Sequence, residues 1–160
     1  MAAVYRCLED ALHAGYLTGP KRWVPAEHVE NYRFWARGST APFRSAAHGD
    51  RFLLPWVNAA GAAAYLSYGT VSEIPEASVL AAETFRIGPD GTVEAGPLYL
   101  MQKAAAGTSP ETDDWFYMLV APQGRPVAIN VISACHDCHA RFGAQGSLGY
   151  PPAARRVPSP

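Results

Sequence analysis

Cys135-His136-Asp137-Cys138-His139 is the stretch of this chain whose residue types and spacing carry chemistry. Two thiols on one helical turn can each add to a vinyl group of a porphyrin, and the histidine that follows is then held beneath the metal. C-x-x-C-H is the attachment motif for c-type haem. On this reading Cys135 and Cys138 tether one haem c through two thioethers, and His139 is the axial ligand of its iron. Two other chemistries use similar spacing. A tetrahedral zinc site could take Cys135, Cys138 and a histidine but needs further ligands, and the remaining supply, Cys7, His13, His28 and His48, is scattered far upstream. A redox C-x-x-C dithiol opens the helix of an early βαβ unit, and the 21 residues after His139 leave no room for one.

The elements that must position this motif follow from hydrophobic spacing. Val4, Leu8, Ala11 and Leu12 predict an amphipathic helix over 2–15, closed by Gly15. Pro25 to Arg37 reads as a second helix, started by its proline and stopped by Gly38. Residues 39–50 are rich in Ser, Ala and Gly and read as a loop. Arg51 to Asn58 reads as a strand, with Pro55 placing it at an edge or bulge. Ala59 to Tyr68 is helix-like and ends at Gly69. Strands are expected over 78–87, 96–103 and 114–120, with turns at Pro89-Asp90-Gly91 and at 122–125. A last helix over 127–142 would carry the motif. The four prolines of residues 150–160 predict an extended surface strap or a disordered tail. No internal repeat is visible.

Composition narrows the class. The chain has 160 residues, 49% hydrophobic and 17% charged, with a net charge of −1. That is a globular domain with a real core. There is no basic run to track phosphates, so nucleic acid is not an expected partner, and no apolar run of spanning length, so no membrane span is expected. Arg6, Glu9 and Asp10 sit where a signal peptide would be apolar. Haem c is attached outside the cytoplasm, so a periplasmic or otherwise exported location is expected, with a leader or a longer exported chain preceding this stretch. Cys7 is expected to be a small buried residue on the first helix.

Several blocks, in order, resemble the cytochrome P460 and cytochrome c′-β family: Tyr32-Arg33-Phe34-Trp35; His48-Gly49 followed by the strand ending at Asn58 and then 59–65; Ile74-Pro75-Glu76-Ala77-Ser78-Val79-Leu80; Met101-x-Lys103; Trp115-Phe116-Tyr117; and Gly124-Arg125-Pro126-Val127 leading to Cys135–His139. The likeness covers about 31–139. It implies one haem domain over 1–150 followed by the proline-rich tail, 151–160. The fold expected is α+β: a mostly antiparallel β-sheet with flanking helices and a C-terminal haem-bearing helix, often dimeric, here a homodimer. It implies His139 on one side of the iron and an open face on the other, binding small diatomic ligands such as NO or CO. P460-type members add a bond from a strand lysine to the haem ring and oxidise hydroxylamine. Here Ala82 stands at that strand position, and Lys103 lies on a different strand, where it is expected to be a structural or surface residue.

Around the open face, Phe52, Trp56 and Phe85 are the expected apolar cap, with plain sheet core as their other reading, and Ala82 is the small residue between them. Alternation turns Glu83 away from Ala82. Arg44, His48 and Arg51 could supply a polar contact, and His136, inside the motif, is expected to face solvent. Three functions follow. The first is a gas-binding haem protein; the second is a haem oxidoreductase acting on hydroxylamine or NO. The third is an electron carrier, with a redox partner protein and a sixth ligand from Met101, Met118 or His48.

Overall fold

The structure, a computed structural model, describes residues 1–19, 25–71, 73–129 and 132–158. Eight strands form one sheet: β1 (Ala36–Arg37), β2 (Phe43–Ser45), β3 (Arg51–Val57), β4 (Val79–Ile87), β5 (Val93–Ala95), β6 (Leu98–Lys103), β7 (Trp115–Val120) and β8 (Pro126–Ile129). Their order is β1-β3-β4-β6-β7-β8, with β2 also on β3 and β5 also on β4. Every pairing is antiparallel. Four helices flank the sheet: α1 (Ala2–Leu17), α2 (Ala26–Asn31), α3 (Ala59–Leu66) and α4 (Asp137–His139). The last is the middle of a helical stretch over 132–145, wound as a π-turn at Ile132–His136 and as 3-10 at Ala140–Gln145. The fold is therefore α+β, with one open antiparallel sheet and a C-terminal helix. Among the described residues no helix is long and apolar enough to cross a membrane.

Several local expectations change. The second helix stops at Asn31, and one 3-10 turn at Tyr32–Phe34 leads into β1, because Ala36 and Arg37 pair with Val57 and Trp56. The 39–50 loop contains β2, which pairs with the start of β3. Residues 126–129 are a strand rather than the start of the last helix: the hairpin turn folds Val127-Ala128-Ile129 back onto β7, where β-branched residues suit the ladder. Pro55 lies inside the sheet, not at its edge. Its carbonyl accepts from Gly38 N–H at 2.8 Å, so its nitrogen faces the gap between β1 and β2, where no strand asks for a donor. Cys7 is exposed, because α1 turns Tyr5, Leu12 and Tyr16 to the sheet instead. The tail is a strap: Arg156 bridges to Ser39 and lies over the rings of Tyr68 and Tyr150.

The sheet has two differently used faces, since successive strand residues alternate sides. On one, Leu54 and Trp56 of β3, Ala81 and Phe85 of β4, Leu98 and Leu100 of β6 and Met118 and Val120 of β7 pack against Tyr5, Leu12 and Tyr16 of α1. Glu83 points to the same side and is 1% exposed. Tyr5 Oη donates to its Oε2 at 2.6 Å, Arg33 Nε to its Oε1 at 2.6 Å, and Tyr32 Oη also donates to Oε1. Burial opposes ionisation of this carboxyl, and Arg33 with the two hydroxyls opposes that push. The network ties α1, the 32–34 turn and the central strand together.

Removing one member of a buried, hydrogen-bonded ion pair leaves the other uncompensated. Glu83→Ala is expected to destabilise the fold by about 3–5 kcal/mol, and Tyr32→Phe by about 1–2 kcal/mol, both read from urea unfolding midpoints. A cost for Glu83→Ala no larger than for Tyr32→Phe would show that the carboxylate is not the fastener.

Candidate functional site

The second face is closed at one end by Val57, Leu80, Trp115 and Tyr117 packed against Tyr65 and Leu66 of α3 and Leu148. Beside this core, between the sheet and the 132–145 helix, lies a cavity of about 430 Å³. Its floor is Leu53 and Pro55 of β3, Ala82 of β4, Tyr99 and Met101 of β6 and Leu119 of β7; its roof is Ala134, Cys135, Cys138 and His139. One helical turn thus presents both thiols and the following imidazole to one space. Neither cysteine is in a disulfide. Burial, with Cys138 nearby, pushes the Cys135 thiol up.

The orientation of His139 is fixed from behind. Its Nδ1–H donates to the carbonyl of Ser147 at 2.8 Å. That carbonyl sits in a tight return of the chain, where Gly146 and Ser147 are both left-handed, with φ of 64° and 63°. A Cβ at residue 146 would lie 2.5 Å from Ile74 Cγ1, so only glycine fits. Trp115 Nε1–H donates to the Gly146 carbonyl at 3.1 Å, and Ser147 Oγ donates to Asp113 at 3.2 Å. With Nδ1 protonated, Nε2 carries the lone pair. Burial keeps the ring neutral by lowering its pKa, and the Ser147 contact only partly opposes this. A neutral imidazole, with its other nitrogen bonded to a carbonyl, is the form that ligates metals.

A second imidazole shares the cavity. His48, on the 3-10 turn Ala46–His48 between β2 and β3, stands edge-on to Tyr99 with its ring centre 6.4 Å from that of His139. Its Nδ1 is hydrogen-bonded to Ser45 Oγ at 2.8 Å. Burial first, and His139 second, hold its pKa down at about 4. Arg51 and Arg86 also line the cavity, on the same side as His48. Arg86 Nη2 donates to the Gly49 carbonyl at 3.1 Å, but Arg51 Nη1 is buried with no hydrogen-bond partner among the described residues. That nitrogen is covered by the chain, 3.0 Å from where a Cβ on Gly96 would stand, so Arg51 lines the cavity with its other atoms.

The cavity gathers Cys135, Cys138, His139, Ala82, His48 and Arg51. It does not gather the expected aromatic cap. Phe52, Trp56 and Phe85 lie on the helix-covered face, with Phe52 stacked on Phe85 at 5.3 Å and Trp56 edge-on to Tyr32. The reason is alternation: Pro55 faces the cavity, so its neighbour Trp56 cannot, and Ala82 and Phe85 are an odd number of positions apart. Their other reading, plain sheet core, is the structural outcome. Met118 belongs to that core too, while Met101 packs beside Trp115. Arg44 pairs with Asp50 at the surface, at 3.3 Å. His136 is buried rather than solvent-facing, because the π-turn brings its Nδ1 to within 3.2 Å of Tyr117 Oη. Lys103 Nζ donates to the Asp113 carbonyl and lies over the Trp115 ring, away from the cavity; Lys21 falls outside the described residues. Sequence reasoning missed Tyr99, which shares its alternation with Met101, and Ser147, whose backbone role has no side-chain signature.

Among the described residues no group of three or more His, Cys, Asp or Glu side chains is placed to hold a bare metal ion. No family model matches the chain, and no curated protein matches it.

Arg51 Nη1 is a buried donor without a hydrogen-bond partner among the described residues, which weighs against the fold. In the polypeptide alone, Arg51→Met is expected to be neutral or to stabilise by about 1 kcal/mol in urea unfolding. A loss of more than about 1 kcal/mol would mean that Nη1 already has an acceptor in solution.

Proposed function

We propose that this chain is a c-type mono-haem protein of the cytochrome P460 and cytochrome c′-β kind, with one haem c in the cavity. The observation that carries the reading is the convergence of Cys135, Cys138 and a neutral His139 on one largely apolar space, with Arg51 and Arg86 in its lining. Cys135 and Cys138 tether the group by thioethers, and His139 offers Nε2 to the iron. Arg51 and Arg86, both in the lining, are suited to the propionate carboxylates. Bound there, haem supplies an iron that carries one electron or binds a small diatomic molecule such as NO or CO.

Leu53, Pro55, Ala82 and Leu119 face the roof with no proton donor or acceptor of their own, a wall that admits NO or CO and excludes ions. Ala82 cannot bond to a haem ring, and among the described residues no lysine lines the cavity, so oxidation of hydroxylamine or NO by a P460-type enzyme is the weaker reading. An electron carrier with a redox partner protein is favoured by one specific observation, a second imidazole in the cavity with its ring centre 6.4 Å from that of His139. An exported location, where thioethers are made, belongs to the same proposal. So does a homodimer, supported by exposed Val127 and Ile129 on the outer strand β8.

Expression with a haem c attachment system in the periplasm tests this. A denaturing gel stained for haem, with intact mass, is expected to show about one haem per chain that survives denaturation. Cys135→Ser and Cys138→Ser should each leave one thioether, with the corresponding shift of the pyridine haemochrome band, and the double variant should lose covalent haem. A chain that emerges with zinc and no haem would sink the reading.

A further inference from the structure

The geometry points to His48 as the second axial ligand of the iron, closing the face opposite His139 in the resting protein. This assignment rests on the haem reading proposed above. Metal–imidazole bonds of about 2.0–2.1 Å put the ring centres of two imidazoles on opposite sides of one metal roughly 6.3 Å apart. The centres of His48 and His139 are 6.4 Å apart. Their planes cross at 74°, as two rings sharing an axis through their nitrogens can, since each turns about that axis independently.

The outer nitrogens support the same assignment. Each Nδ1 is engaged by an oxygen at 2.8 Å, Ser45 Oγ for His48 and the Ser147 carbonyl for His139. The carbonyl holds the proton of His139 on Nδ1 and frees its Nε2, and Ser45 Oγ can accept from Nδ1 of His48 and free its Nε2 in the same way, the arrangement that orients metal-bound histidines. Neither Nε2 has a hydrogen-bond partner among the described residues. Of the three candidates for a sixth ligand, Met118 faces the other core and Met101 lies on the sheet floor of the cavity, while the ring centre of His48 is 6.4 Å from that of His139.

His48 sits on a single 3-10 turn rather than in a strand, so it can leave the iron without breaking a ladder hydrogen bond. Small ligands therefore compete with His48, and their apparent affinity falls by the fraction of protein in which it is detached. The resting protein is an electron carrier in form, and gas binding requires displacement of His48.

The test uses the haem-loaded full chain, by absorption and electron paramagnetic resonance in the ferric and ferrous states. Wild type is expected to be six-coordinate and low-spin. His48→Ala is expected to keep its covalent haem, become high-spin, bind CO about tenfold or more faster, and return to low-spin when imidazole is added. Imidazole rescue separates loss of a ligand from loss of fold, and His48→Phe, which fills the space without a nitrogen, should behave like the alanine variant but resist rescue. A wild-type protein that is haem-loaded but high-spin, or a His48→Ala protein that stays low-spin without imidazole, would overturn the assignment while leaving the haem reading intact. Failure to attach haem at all would overturn the haem reading, and this assignment with it.

Discussion

Strand β4 is hydrogen-bonded on both sides along its length, so its side chains can only alternate between the two faces of the sheet. Everything distinctive about this protein depends on that constraint. Ala81, Glu83 and Phe85 serve the face covered by α1, and Leu80 and Ala82 serve the face under the C-terminal helix. A register slip of one residue would bring Glu83 into the cavity and bury Ala82 beneath Tyr5 and Tyr32. The buried carboxylate guards against that slip, since its three donors exist on one side only.

The two faces are built on opposite principles. The helix-covered face is dense, and its polar groups satisfy each other within the chain. The cavity face leaves a space of about 430 Å³ and ends it with polar groups that the chain does not fully satisfy. An interior normally closes such a space, because packing to full density stabilises it. Here closure is prevented by the Gly146–Ser147 return, which is held by Trp115 and Asp113 and supports the helix at a fixed height. The same return sets the tautomer of His139, so the feature that supports the helix also leaves Nε2 of that ring with its lone pair.

The electrostatics of the cavity fit a charged, planar, mostly apolar guest better than water. Both imidazoles are held neutral by burial, and Arg51 and Arg86 bring positive charge to the lining. A group apolar over most of its area and anionic at one edge meets this distribution, and a bare cation does not. Whether the iron of such a group serves electrons or a diatomic ligand depends on its free face, and therefore on the position of one histidine in the turn before β3.

The Cys135–His139 cluster was legible in the sequence because its chemistry is local: two thiols and an imidazole on one helical turn need no distant partner to be recognised. The main strands were legible for a similar reason, since alternation and turn residues act over a few positions. The identity of the far wall was not. Phe52, Trp56 and Phe85 have the bulk to cap a haem, but which side a strand residue faces depends on register with neighbours up to tens of residues away. Only pairing settled that Pro55 and Ala82 look into the cavity while those aromatics look out. Likewise the 126–129 segment became a strand because β7 was there to receive it. His48, one histidine among five in composition, acquired its place from the β2–β3 hairpin, which sets it against a ring 91 positions further along the chain. The sequence by itself determined which groups can react, because that is a matter of neighbouring atoms along the chain. The tertiary structure alone decided what those groups face, because facing is set by long-range pairing and packing.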